Sequence, residues 1–245
     1  MNYPDKKYTP QELSDFPMNF QREYEASFEP IIHDNIMTHS FLSAVMEKVI
    51  PNLQWLRQPF TCREGAYTSS SLKKYGKNDN GQFVHSLFDF DYKTMQPLIS
   101  EFWAAFTPIV YTIGAMHEKE CRALIRAKLN YTCSTKTSQG HMMPHCDVDD
   151  RPSFIDPNKN YYSCVYYLSE RNGDLLFFSG VKGLDESDKK EKDDDFVYDL
   201  KDMAVSKRIS PNQNRGVFLD SRSFHAGSYS TNNDRICLNI VWEGS

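Results

Sequence analysis

Cys121-Arg122-Ala123-Leu124-Ile125-Arg126-Ala127-Lys128-Leu129-Asn130-Tyr131 is where the chain changes period. Within it Ala123, Ile125, Ala127, Leu129 and Tyr131 alternate with Leu124, Arg126, Lys128 and Asn130. A period of two belongs to a strand whose faces differ. Four more short runs follow, at 161–168, 174–179, 217–220 and 235–242. Each is rich in aromatic or β-branched residues and bounded by Gly, Asn, Asp, Pro or Ser. Several short strands with no long helix between them predict an antiparallel barrel or jelly roll, not βαβ units.

Upstream the period is nearer 3.6. Thr9-Pro10-Gln11-Glu12 is a capping box with Pro at the first helical position. Residues 35–50 keep helical spacing through Phe41, Leu42, Val45, Met46, Val49 and Ile50 until Pro51. A third helix is predicted over 97–114, with Pro108 inside it, and 59–90 reads as loops with two short strands. The expectation is therefore a mainly-β core over 121–245 with a helical N-terminal flank, 1–120, packed on it. Residues 183–207 break the strand pattern with a charge run and read as an irregular, mobile insertion.

Charge placement excludes some functions. The net charge is −5, and residues 185–202 alone hold nine acids and four lysines, so the remainder is close to neutral. Nucleic-acid surfaces rely on basic stripes, and none stands out, so no nucleic-acid partner is expected. The six cysteines form no C-x-x-C pair, which argues against a zinc knuckle or a thioredoxin-like site. The first 16 residues show no apolar signal segment, and the longest uncharged stretch, 102–116, is too short for a membrane span. A cytoplasmic protein without a membrane partner is expected.

His145-Cys146-Asp147 places an imidazole and a carboxylate two residues apart, on one face of an extended backbone. His225 follows beyond the 217–220 strand. Two histidines and a carboxylate form the facial triad of non-haem iron(II) oxygenases, which leaves positions open for a 2-oxo acid and dioxygen. Arg235 opens a strand on which Arg235, Cys237, Asn239 and Val241 alternate with Ile236, Leu238, Ile240 and Trp242. An arginine on the inward face of a barrel needs an anion, because an unpaired buried charge is costly. A dicarboxylate offers one that a guanidinium grips with two hydrogen bonds.

These pieces resemble, in order, the 2-oxoglutarate/iron(II) oxygenase superfamily in its prolyl-4-hydroxylase-like branch. Pro144-His145-Cys146-Asp147 is similar to the ligand motif P-H-x-D, and Val165-Tyr166-Tyr167-Leu168-Ser169 to the strand after it. Ile209-Ser210-Pro211 and Arg215-Gly216-Val217-Phe218-Leu219 resemble the family's proline and Gly-led strand. Phe224-His225-Ala226-Gly227 looks like the distal-histidine turn, and Arg235 stands at the co-substrate anchor. The resemblance covers about 121–245. It implies a double-stranded β-helix, iron(II) on His145, Asp147 and His225, and 2-oxoglutarate held by Arg235 with help from Tyr131 and Tyr167. Asn239, sharing a face with Arg235, is a further candidate for the site. Oxidative decarboxylation of 2-oxoglutarate to succinate with hydroxylation of a C–H bond is the implied reaction, with dioxygen as oxidant and ascorbate as a reductant. Halogenating relatives replace the carboxylate ligand with a small residue, and Asp147 keeps it. The expected substrate is a prolyl or other amino-acid side chain, free or in a peptide. Loops 134–143 and 149–160, beside the H-x-D pair, would flank it.

The sequence also departs from the pattern. Met142 stands where many relatives carry an aromatic residue, Asn172-Gly173-Asp174 replaces a Gly-Gly-Glu-like turn, and Cys237 replaces a serine. His141 reads as a loop residue rather than a ligand. Two other functions share the same sequence features: a nucleobase-oxidising enzyme, which would need a basic groove, and a non-enzymatic jelly-roll binding module, which would not need the triad.

Overall fold

The computed structural model describes residues 29–59, 61, 67, 69–76, 79–91, 94, 96–117, 121–135, 140–148, 159–170, 173–185 and 196–244. The helix start expected at Thr9 lies outside them. Thirteen strands are described: β1 (Ile31–Asp34), β2 (Leu56–Gln58), β3 (Gln82–Asp91), β4 (Gln96–Ile99), β5 (Cys121–Thr132), β6 (Asn160–Tyr167), β7 (Leu175–Ser179), β8 (Lys182–Asp185), β9 (Phe196–Asp199), β10 (Ala204–Ile209), β11 (Arg215–Asp220), β12 (His225–Gly227) and β13 (Arg235–Gly244). Helix α1 (His39–Ala44) continues through a π turn (Val45–Val49) and a 3-10 turn (Ile50–Asn52). Two further helices are α2 (Ser69–Tyr75) and α3 (Trp103–Met116).

The large sheet runs β1-β11-β6-β13-β5-β3-β2, with β4 also on β3, and every pairing is antiparallel. A smaller sheet, β10-β7-β12, faces it, and together they make the double-stranded β-helix. Between the two lies an inner cluster of Val165, Tyr167, Leu175, Phe177, Val217 and Leu219. The opposite face of the large sheet is just as apolar: Ala127, Leu129, Tyr166, Leu238 and Trp242 pack against Leu42 and Val45 of the α1 segment and Phe106, Ile109 and Ile113 of α3. Fully burying each such side chain is worth about 1.5–3 kcal/mol, and this outer cluster fixes the helices to the barrel. A third cluster backs the small sheet, where Leu176, Phe178 and Phe224 meet Tyr198, Leu200 and Leu72 of α2. Among the described residues no helix is long and apolar enough to cross a membrane.

Three sequence expectations need correction. The N-terminal flank is not simply helical: it contributes β1 to β4, and β3 is a ten-residue strand paired along β5. Residues 97–99, expected as the start of the third helix, belong to edge strand β4, on which Leu98 and Ile99 are exposed. The helix begins only at Trp103, after a turn in which the Ser100 hydroxyl accepts from the Phe102 N–H at 3.1 Å. The described residues of 183–207 are also not irregular. β8 and β9 form a hairpin, β10 pairs with β7, and Tyr198 and Leu200 are buried in the third cluster. The densest part of the charge run, 186–195, lies outside the described residues.

Candidate metal centre

Residues 141–148 run antiparallel to 221–228 and extend the small sheet beyond β12. Met142 N–H donates to Gly227 O (2.9 Å), His145 and His225 exchange both backbone hydrogen bonds (2.9 and 2.8 Å), and Val148 N–H donates to Ser221 O (3.1 Å). The backbone thus sets two histidines directly opposite each other, with ring centroids 4.8 Å apart. Asp147, two residues on, joins them. The ligand-type atoms of His145, Asp147 and His225 all lie within 4.8 Å of one another, the arrangement the H-x-D and distal histidine predict.

Each imidazole is oriented by a carbonyl. Nδ1 of His145 is 3.1 Å from Met143 O, and Nδ1 of His225 is 2.9 Å from Ser223 O. A carbonyl can only accept, so each Nδ1 carries the proton and each Nε2 presents a lone pair to the shared space. Burial, reinforced by His225, lowers the His145 pKa to about 4, which keeps the ring neutral and able to coordinate. Burial alone would raise the Asp147 carboxyl. His225, Arg126 and His145, with a hydrogen bond from Asn239, outweigh that and hold it well below the usual carboxylate range. Arg126 Nη2 donates to Asp147 Oδ1 at 3.0 Å, and Asn239 Nδ2 lies 3.0 Å from both carboxylate oxygens.

The centre opens onto a cavity with about 500 Å³ of empty space, mouth included, lined by the three residues above together with Lys128, Tyr167 and Arg235, among others. At its far end Arg235 is buried. Among the described residues its guanidinium meets only neutral groups: Ser228 O and Thr132 Oγ1 at 3.5 Å and Met142 Sδ at 3.3 Å. Arg235 Nε has no hydrogen-bond partner, and no carboxylate among the described residues pairs with this side chain. The guanidinium lies against Gly227, where a Cβ would overlap it. A buried cation left open on its cavity side fits an anion supplied from outside the chain. The donor set and the orphaned guanidinium therefore fit iron(II) and a dicarboxylate.

Of the other sequence-predicted residues, Tyr167 and Asn239 line this cavity. Tyr131 does not. Its hydroxyl donates to Asp234, and its ring packs on Trp55 and Phe83, outside the barrel. Alternation placed it correctly with Ala127 and Leu129, but that face is the one covered by helices. The inward face of β5 presents Lys128 and Asn130 to the cavity and Arg126 to Asp147. Sequence reading missed these three, although the same alternation marks them. Of the departures from the family pattern, Met142 and Cys237 both lie in the cavity wall. His141 stands apart from the triad, its ring stacked on Tyr75 and its Nδ1 2.7 Å from Met142 O.

No family model and no curated protein matches the chain. Solved structures do. An oxidoreductase of the 2OG-Fe(II) oxygenase family from Burkholderia pseudomallei aligns over 87% of this chain and 85% of its own, with a TM-score of 0.51 and 10% identity. The epimerase SnoN, in complex with Fe3+, alpha ketoglutarate and nogalamycin RO, aligns over 87% of this chain and 78% of its own, with a TM-score of 0.50 and 12% identity. A prolyl hydroxylase from Trichoplax adhaerens aligns over 89% of this chain and 84% of its own, with a TM-score of 0.49 and 10% identity. The chain has the double-stranded β-helix fold of the 2-oxoglutarate/iron(II) oxygenases. One of these structures is an epimerase, and a fold does not fix a reaction.

Proposed function

We propose that this protein is an iron(II)- and 2-oxoglutarate-dependent oxygenase that hydroxylates an amino-acid side chain, prolyl or other, free or in a peptide. The observation that carries this reading is the pairing of two sites in one cavity. Two imidazoles and an ionised Asp147 carboxylate stand at one end, and a buried arginine without an anion at the other.

His145, Asp147 and His225 would hold the metal, which when bound supplies the dioxygen chemistry. Arg235 would receive the distal carboxylate of 2-oxoglutarate, with Tyr167 beside it in the cavity wall. Asn239 and Arg126 hold the Asp147 carboxylate in one orientation, an outer layer of support that metal sites depend on. One dioxygen is divided: one oxygen atom ends in succinate as carbon dioxide leaves, and the other in the hydroxyl of the product. The carboxylate ligand supports hydroxylation over halogenation. The likeness of the ligand and anchor motifs to prolyl-4-hydroxylases, with the absence of a basic stripe from the sequence, supports an amino-acid substrate over a nucleobase. A jelly-roll module that only binds would not need the buried His145, Asp147 and His225 set beside Arg235.

The test is succinate release with iron(II), 2-oxoglutarate and ascorbate against a panel of peptides, free amino acids and oligonucleotides. Stimulation by a peptide or amino acid, with the product gaining the mass of one oxygen atom, is expected. Stimulation by oligonucleotides alone, with an oxidised base, replaces this reading with the nucleobase enzyme.

A further inference from the structure

Lys128 has no part in the function proposed above. It stands on the inward face of β5, half-buried, and its side chain lines the same cavity as the triad. No hydrogen bond or ion pair is made by its ammonium among the described residues; the charges that act on it are Arg126, Asp147 and Asp89, with the Cys237 thiol close by. Its level in the barrel follows from register. Thr132 pairs with Arg235, whereas Lys128 pairs with Asn239, the residue that holds Asp147. Four residues of strand, at about 3.3 Å each, put Lys128 some 13 Å of backbone away from the anchor level, at the level of the metal ligands.

With a divalent ion and 2-oxoglutarate in place, their charges sum to zero with those of Asp147 and Arg235. Arg126 and Asp89, cross-strand partners on β5 and β3, cancel. One positive charge is left facing the cavity, on Lys128. Burying it without a counter-charge is unfavourable, and among the described residues no carboxylate forms an ion pair with it.

Resting on the oxygenase reading, we infer that Lys128, backed by Arg126, is the receiving site for a carboxylate of the primary substrate, so that the reacting carbon belongs to a small acid such as a free amino acid rather than to a neutral residue inside a peptide. The ammonium is a compact point charge and selects for charge more than for shape. It would hold the acid beside the metal, with the C–H to be oxidised turned toward the triad.

The experiment uses the full chain loaded with iron(II). Its first arm is anaerobic calorimetry of 2-oxoglutarate on wild type and on Lys128→Met, with affinities expected to agree within about twofold. The second compares free and N-acetylated L-amino acids with the matching C-terminal amides. It measures succinate release and, for the best pair, calorimetric binding to the anaerobic iron and 2-oxoglutarate complex. Acids are expected to bind roughly 10- to 100-fold more tightly than their amides, the range for a hydrogen bond to a charged group. Lys128→Met should lose that preference and Lys128→Arg should keep it. Equal binding of acids and amides by the wild type overturns the inference without any variant. So does a tenfold loss of 2-oxoglutarate affinity in Lys128→Met, which would move the lysine into the co-substrate site. Stimulation by oligonucleotide phosphates with every acid inert overturns it as well. Failure of the wild type to bind 2-oxoglutarate removes the oxygenase reading itself, and the first arm shows this before any substrate is added.

Discussion

The guanidinium of Arg235 rests directly against Gly227, two residues past His225, so the turn that carries His225 also forms the bed of this arginine. Gly227→Ala would place a methyl group where both terminal guanidinium nitrogens lie. Arg235 has a flexible side chain and can move aside, so the fold should survive while the anchor is misplaced. Calorimetry should show 2-oxoglutarate affinity reduced about tenfold or more, with metal content unchanged. Arg235→Ala goes further: breaking a buried ion pair costs about 3–5 kcal/mol, or two or more orders of magnitude in affinity. Unchanged affinity in both variants would place the anchor elsewhere.

His145→Ala, Asp147→Ala and His225→Ala should each abolish turnover and lower metal content. Asn239→Ala is the more discriminating variant. It removes the amide that bridges both Asp147 oxygens and leaves all three ligands in place. Loss of such an outer partner lowers metal affinity roughly 10- to 100-fold. Full metal affinity in this variant would mean that Arg126 alone orients the carboxylate.

Acid should destabilise the metal-free protein in a defined window. The folded pKa of His145 is about 4, against 6.5 for an unperturbed histidine. Between those values the unfolded chain binds more protons, so stability is present above pH 6.5 and is lost as the pH falls toward 4. The contribution is at most about 3.4 kcal/mol, at about 1.36 kcal/mol per unit of pKa. Asp147 adds a further loss at lower pH, since its folded pKa also lies below its unfolded one. Denaturant unfolding at pH 7, 5.5 and 4, compared with His145→Gln, measures the first term. An equally steep slope in the variant would assign the acid sensitivity to other groups.

Tyr198 ties the β8–β9 hairpin to the centre. It is buried, and its ring meets that of Phe224 edge to face with centroids 4.7 Å apart. Tyr198→Ala should destabilise the protein by about 3–5 kcal/mol, as large aromatic truncations in a core do. Because Phe224 precedes His225, metal affinity should fall with stability. Thermal melts with and without metal distinguish this from a hairpin that only decorates the surface, for which neither would change.

What could be read from the sequence, and what could not, follows from the architecture. His145 and Asp147 are legible because i and i+2 share a face of extended chain whatever the tertiary structure, and Arg235 because its strand has one wholly apolar face. Tyr131 misled for a related reason. Alternation separates two faces without saying which looks inward. In this barrel the cavity face is polar, with Arg126, Lys128 and Asn130, while the apolar face carrying Ala127, Leu129 and Tyr131 meets helices outside. Leu98 and Ile99 have helical spacing yet lie on an edge strand, because pairing with β3 outweighed local pattern. Tyr198 and Leu200 were hidden beside a charge run, where a short buried hairpin leaves too few apolar residues to show a period.

The backbone bridge between His145 and His225 has a further implication for ion selection. Since main-chain hydrogen bonds fix the spacing of the two imidazoles, the site does not need an ion to assemble it, and it does not reshape itself to reject one. A preformed nitrogen and carboxylate site follows the general affinity order of divalent ions, in which cobalt, nickel and zinc exceed iron(II). Those ions should therefore occupy the centre readily and act as competitive poisons of turnover. The same property offers inert stand-ins with which co-substrate and acid could be captured together.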